Sequence, residues 1–467
     1  NLRYDGTSRF RRGNRWQLSP SFSLGWNIAQ ENFWEDFADV CNQLKFRFSY
    51  GELGNMNTNG WYPTYRAMTL KQANGSWLQN GLKPNTAYVG DLISTALTWE
   101  KVRTWNIGLD WGLFNNRLTG SFDAYIRYTD NMVGPSVELP ATLGIATPKT
   151  NNCDLKTKGW ELTIGWQDRT NFGMGYGIKF NVSDARTYID RYPGNPTNSI
   201  NTYTYIAGRE IGEIWGFETV GIAKTDDEMQ AHLNKVGGQS AIGSGVWTAG
   251  DIMYADQDGK PGITKGAQTL EDHGDLKVIG NNTPRYHFGL DLNANYKGFD
   301  VRLFFQGVMK RDYWQGSNIF WGVGQWGMWW STGLKEHEDY FRDEPVGLAG
   351  HEIAANVNSY YARPRFDSTQ NQETQTRYLQ DASYIRLKNF QLGYTLPASM
   401  IRKIGITNCR IFVSGENLWT GTKLSKLFDP ETISGGNTDS NASAPIKSAG
   451  NAYPLSRTWS FGLSVSL

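Results

Sequence analysis

From Arg285 to Val308 the chain reads RYHFGLDLNANYKGFDVRLFFQGV, with apolar side chains at every second position. Tyr286, Phe288, Leu290, Leu292, Ala294 and Tyr296 alternate with Arg285, His287, Gly289, Asp291, Asn293 and Asn295. A period of two marks a strand with one apolar and one wet face. Lys297-Gly298 breaks the run, with Gly in the second central position of a two-residue hairpin turn. Phe299, Val301, Leu303 and Phe305 then return against Asp300, Arg302 and Gln306. Closing the hairpin sets Tyr296 against Phe299, Ala294 against Val301, Leu292 against Leu303 and Leu290 against Phe305. Asn295 meets Asp300 and Asn293 meets Arg302 on the other face, so turn and pattern specify the same register. Each strand holds about 10 alternating residues, the length a tilted strand needs to cross a bilayer. Tyr296 and Phe299 flank the turn, where a membrane barrel carries an aromatic girdle. A half-buried hairpin of a soluble sandwich would alternate in the same way.

The pattern recurs along the chain. Apolar positions alternate over 22–28, 44–50, 105–113, 118–128, 160–166, 174–182, 390–396, 409–413 and 459–467, and a strand ends at 1–4. Centring a turn on Asn115-Asn116 pairs Leu109 with Phe122 and Ile107 with Ala124. Short links (29–43, 114–117, 168–172, 297–298, 397–407) alternate strictly with long ones (51–97, 130–156, 184–283, 309–382, 418–455). A sandwich has no reason to put every long connection at one end, whereas outer-membrane barrels keep short turns in the periplasm and long loops outside. The spacing therefore predicts an all-β chain, a transmembrane antiparallel β-barrel of about twelve strands here. The last strand sets Trp459, Phe461, Leu463, Val465 and Leu467 against Thr458, Ser460, Gly462, Ser464 and Ser466, an amphipathic strand suited to outer-membrane insertion.

Composition fits this reading. The 467 residues carry 19 Trp, 23 Tyr, 22 Phe and 52 Gly, an aromatic and turn-rich usage typical of wide all-β architectures. No apolar run approaches the roughly 18 residues of a spanning helix, which leaves a strand-built barrel open. A net charge of +1 gives no argument for nucleic acid. Cys41, Cys153 and Cys409 share no motif spacing, so neither a disulfide framework nor a metal site follows. The chain opens on Asn1-Leu2-Arg3-Tyr4 without a basic-then-apolar leader, so an exported protein would have lost one.

Nine stretches carry a resemblance, in order from end to end: YDGTSRFRRGNRW (4–16), LTWEKVRTWNIGLDWGLFNNRLTGSFDAYIRYTDNM (97–132), KGWELTIGW (158–166), IGEIWGFETVGI (211–222), GDIMYADQDG (250–259), VIGNNTPRYHFGLDLNANYKGFDVRLFFQGV (278–308), SYIRLKNFQLGYTLP (383–397), ENLWT (416–420) and YPLSRTWSFGLSVSL (453–467). The chain resembles the C-terminal portion of SusC-like TonB-dependent transporters of Bacteroidota. The resemblance implies a barrel of about 22 strands around a plug, with about ten strands, the plug and the TonB-contacting segment upstream of Asn1. It implies import of a glycan or oligopeptide nutrient across a Gram-negative outer membrane. The partners it implies are a SusD-like lipoprotein, TonB and outer-membrane lipid, with no cofactor and no covalent chemistry. Leu467 departs from the family's usual terminal aromatic. Passive porin or adhesin and outer-membrane barrel hydrolase are the alternatives.

Candidate sites are few. Leu290, Leu292, Leu303 and Phe305 are expected to face lipid. Trp314, Trp321, Trp326, Trp329 and Trp330 form the densest aromatic run and could stack on cargo, anchor a partner, or pack among themselves to stiffen the loop. Asp256 and Asp258 stand in a D-x-D-G reminiscent of calcium loops, but Lys260, Pro261 and Thr264 follow where further oxygen ligands are needed, so a turn is favoured over a metal. His232, His273, His287, His337 and His351 show no HExxH spacing, no G-x-S-x-G elbow exists, and the charged run around His337 reads as a solvated face.

Overall fold

A computed structural model describes the chain except for residues 57, 59, 137–139, 141, 143, 146, 201–204, 244, 317, 323–332, 366–367, 403–404, 434–453 and 467. Its organising element is an antiparallel sheet of 12 strands, each paired with its neighbours in sequence. The strands are β1 (Leu2–Gly6), β2 (Trp16–Asn27), β3 (Cys41–Asn55), β4 (Glu100–Leu113), β5 (Leu118–Pro135), β6 (Lys149–Arg169), β7 (Gly175–Arg191), β8 (Arg285–Tyr296), β9 (Phe299–Lys310), β10 (Tyr384–Thr395), β11 (Asn408–Thr422) and β12 (Thr458–Ser466). The chain divides into two compact units, one of residues 1–162, 185–199 and 203–211, the other of 163–184, 200–202 and 212–467.

In the first unit the apolar alternation becomes a continuous band. Phe22, Leu24 and Trp26 pair with Tyr50, Phe48 and Phe46, these with Trp105, Ile107 and Leu109, and these in turn with Ile126, Ala124 and Phe122. Tyr50 and Trp105 lie 4.4 Å apart between ring centres. The band is nonetheless open: Leu24 is 57% and Ile107 52% exposed. The polar face carries the ion pairs. Arg47 donates to both oxygens of Asp110 and both of Asp123 over 2.8–2.9 Å, and Arg103 reaches Asp130 at 2.6 Å. Gly108 is required where they cross, because a Cβ there would lie 2.6 Å from Arg47 Cζ and Asp123 Oδ1. Where the connection after β3 returns to β4, Phe10, Leu97 and Trp99 form a small buried cluster. The Trp99 indole donates to Arg15 O at 2.9 Å.

The second unit repeats the scheme. Lys297 (φ 47°) and Gly298 (φ 88°) form a two-residue turn with both central residues left-handed, the conformation whose twist suits a hairpin. The register is the expected one, Tyr296 to Phe299, Ala294 to Val301, Leu292 to Leu303 and Leu290 to Phe305. One rung runs Ile178, Leu292, Leu303, Phe390, Gly415, Trp459 across six strands. Phe390 and Trp459 approach within 6.4 Å across the glycine. On the other face Arg410 grips Asp300 at 3.0 and 2.5 Å. Gly393 lies beside that pair, where a Cβ would meet Arg410 Nη2 at 2.4 Å.

The strands outrun their apolar alternation. β3 continues to Asn55, while β5 reaches Pro135 and β6 begins at Lys149, so the 130–156 connection shrinks to 136–148. Backbone pairing continues where neither face is apolar, as where Gly54 and Asn55 pair with Lys101 and Glu100, and no hydrophobic period marks such residues. The long 51–97 connection holds a small hairpin of Met68–Lys71 with Thr86–Val89. The 397–407 link holds one helical turn, Ala398–Ile401.

Candidate functional site

The second unit's two longest connections, 212–284 and 311–383, are not separate loops but share one core. Tyr254, Phe217, Met229, Ile252 and Ile263 from the first and Phe320, Phe341 and Tyr378 from the second are all fully buried. The first segment is shaped by helix α1 (Asp226–Val236). Thr225 Oγ1 accepts from Glu228 N while the Glu228 carboxylate accepts from Lys224 N, a reciprocal cap on the first turn. Gly237 (φ 78°) ends the helix in the left-handed conformation.

Polar groups then join the segments. Asp251, with its side chain wholly buried, accepts from Arg365 Nε at 2.7 Å and Nη2 at 2.5 Å. It also accepts from Asn371 Nδ2 and Thr248 N, both at 2.9 Å. Asn371 Oδ1 in turn accepts from Ile252 N, and the Tyr254 hydroxyl donates to Gln370 O at 2.6 Å. Phe217 and Thr374–Thr376 exchange backbone bonds of 2.8 and 3.0 Å. A buried carboxylate holding four donors leaves little freedom between the segments.

Around this core lie two cavities. One, of about 840 Å³, has Trp321, Phe341 and Tyr361 as flat apolar walls and Lys335, Arg342, Arg363 and Arg365 as cations. The other, of about 690 Å³, shares Lys335, Glu338, Arg342 and Tyr361 with it. Both are of the size that holds small ligands. Trp321 packs edge-on to Tyr378 at 4.9 Å, and Tyr361 stacks with Tyr378 at 6.1 Å. His337 fixes the wall: its Nδ1 accepts from Leu334 N, and its Nε2 donates toward Ile319 O and Phe320 O at 3.0 and 3.1 Å.

Burial raises the Tyr361 phenol and pushes Tyr378 up to about 12. A raised folded-state value means that the neutral phenol is favoured by the fold, a contribution complete below about pH 10 and lost as pH rises through the folded value. The 311–383 segment should therefore loosen between about pH 10 and 12, read by near-UV circular dichroism and by protease cleavage within it. A segment equally protected at both ends of that range would refute the role given to these phenols.

Of the aromatic run, Trp314 and Trp321 pack on each other at 6.3 Å, and Trp321 reaches the cavity wall. Trp326, Trp329 and Trp330 lie outside the described residues. Lys335, Glu336, Glu338 and Asp339 are exposed, as the charged run suggested, but His337 is half-buried with both ring nitrogens engaged. Asp256, Asp258 and the later Asp275 bring carboxylate oxygens within 4.8 Å of one another. Each carboxylate bonds backbone N–H groups nearby: Asp256 to Gly259, Asp258 to Lys260, Asp275 to Gln257 and Thr264. That is the work of a turn-stabilising loop. Leu290, Leu292, Leu303 and Phe305 share one face of β8 and β9. Trp459, Phe461, Leu463 and Val465 expose theirs on β12, whereas Leu467 lies outside the described residues.

The sequence reading missed the shared core and its key residues, Asp251, Arg365, Asn371 and Arg342. Only α1 left a local signal, the Thr225–Glu228 capping pair and Gly237.

Comparison with known proteins follows the same lines. The family described as TonB dependent receptor-like, beta-barrel, matches residues 1–309. TonB-dependent receptor P3 of Formosa agariphila is 28% identical over 99% of this chain and 43% of its own length. TonB-dependent receptor SusC of Bacteroides thetaiotaomicron is 25% identical over 99% and 41%. The RagAB peptide importer in its open-open state superposes with a TM-score of 0.68 at 22% identity, over 98% of this chain and 44% of that one. The chain thus spans less than half the length of these relatives.

Proposed function

Because the chain belongs to the TonB dependent receptor-like β-barrel family, we propose that it forms wall and mouth of an outer-membrane importer. The observation that carries this reading is the inverted sheet, apolar and open on one face, ion-paired on the other. A soluble sheet buries its apolar face, whereas a membrane barrel turns it to lipid and keeps polar groups toward a wet lumen. Leu290, Leu292, Leu303 and Phe305 are then lipid contacts, and β12 is the strand gripped during insertion. The long connections lie outside the cell. The cargo is a nutrient, glycan or oligopeptide, shared with a SusD-like surface lipoprotein and moved at the expense of energy delivered by TonB. The family is one of receptors rather than enzymes, and the work asked of these residues is binding and passage.

Orientation is testable on living cells. An epitope inserted after Gly81, which is exposed with no atom near its Cβ position, should be labelled on intact cells. One inserted at Lys297-Gly298 should be labelled only after the outer membrane is opened. The reverse pattern would invert the topology and remove the basis for placing the cavities outside.

A further inference from the structure

We propose that the larger cavity is a carboxylate-recognition site, with Arg342 and Arg363 presenting it to an anionic group of the cargo; this rests on the importer reading above. Arg342 is only 7% exposed. Its Nε donates to Ala354 O at 2.9 Å, and its Nη1 to Glu338 O at 2.7 Å and Tyr340 O at 3.3 Å. Among the described residues no carboxylate pairs with it. A buried guanidinium normally has a counter-charge, since carbonyl dipoles and the face of the Tyr340 ring, 4.4 Å from Cζ, compensate its lost hydration less fully than a carboxylate. Here the side chain instead forms part of the wall of both cavities.

The rest of the wall leaves the imbalance in place. Arg363 pairs with Asp343 at 2.6 Å through one terminal nitrogen. Its Nε is buried and has no hydrogen-bond partner among the described residues. Arg365 is consumed by Asp251, and Lys335 has no ion pair among the described residues. Two carboxylates line the cavity: Asp343 is taken by Arg363, while Glu338 is exposed and meets Arg342 through its backbone carbonyl, not through its carboxylate. A carboxylate entering beside Arg342 would supply the missing charge and accept from donors that otherwise stay unused. Trp321, Phe341 and Tyr361 would cover a flat or apolar portion next to it. The chemistry selected is a carboxylate adjoining an apolar or ring surface, whether a peptide C-terminus or an acidic sugar.

Two probe pairs distinguish those sources on the intact transporter in detergent: the peptide Ala-Ala-Ala-Ala-Phe as free acid and as amide, and trigalacturonate with its methyl ester. In one pair the acid should bind at least about tenfold tighter than its neutral form, the size of a charge-assisted hydrogen bond to a buried partner. Arg342→Gln should reduce that preference to about twofold or less. Arg342 also secures three carbonyls, so Arg363→Gln provides a second variant, expected to weaken the preference severalfold. The acid-to-neutral comparison on the unaltered protein needs no variant at all. Equal binding of acid and neutral forms in both pairs would overturn the site, and energy-dependent uptake persisting in that case would leave import standing. Acid preference without energy-dependent uptake would instead support the site and count against import.

Discussion

Asp251→Ala should free the 311–383 segment from the 212–284 segment at a cost of about 3–5 kcal/mol, the usual penalty for removing one partner of a buried ion pair. The carboxylate takes two bonds from Arg365, one from Asn371 and one from Thr248 N. Without it a guanidinium that is 23% exposed in its side chain faces a site with no counter-charge. Asp251→Asn should cost less, because an amide oxygen still accepts from Thr248 N or Asn371. Neither change touches strand pairing. Hydrogen exchange should rise across both connections in Asp251→Ala and stay unchanged in β8 through β11. Exchange confined to residues next to 251 would mean that the segments cohere without this centre.

Leu303→Arg should destabilise the sheet by about 2–4 kcal/mol in a bilayer, because a charge in hydrocarbon has neither water nor partner. Leu303 sits within the rung, between Leu292 and Phe390. Asn293→Arg is the control: the position is exposed on the other face, opposite Arg302, which Asp291 already holds. It should cost under about 1 kcal/mol. Phe299→Arg, beside the turn, should cost less than Leu303→Arg, since the penalty falls toward the interface. A soluble apolar face would reject Arg at 303 as well, so lipid must be probed directly. A nitroxide at position 303 should be relaxed by oxygen and shielded from a polar nickel reagent, with the opposite result at 302. Reversal of the two would put the apolar face inward and end the barrel reading.

How much of this could be read from the residues depended on distance along the chain. The β8–β9 register was legible because turn and alternation lie within a dozen residues of each other and agree. The turn at Asn115-Asn116 gave its pairs for the same reason. The ends of β5 and β6 were hidden, since Thr129–Asn131 and Lys149–Asn152 carry no apolar side chain and so no period to detect. The shared core was hidden more deeply. Asp251 and Arg365 are 114 positions apart, and Tyr254 meets Gln370 across 116, with no local pattern announcing either. Arg342 was hidden for a related reason: flanked by Glu338, Asp339, Asp343 and Glu344, it reads as one more arginine of a charged, solvated loop.

The joined connections bear on how the proposed mouth could change its cargo. A loop that folds alone can be traded between relatives one at a time. Here a graft of 311–383 without 212–284 would bring an Arg365 with no Asp251 suited to it, and would set a foreign Gln370 and Phe341 beside an unmatched Tyr254 and Gly250. Functional hybrids should therefore arise only when both segments travel together, although β8, the Lys297-Gly298 turn and β9 lie between them in the chain. New specificity would then be inherited as a pair of distant exchanges, or through substitutions on the cavity wall that leave the seam intact.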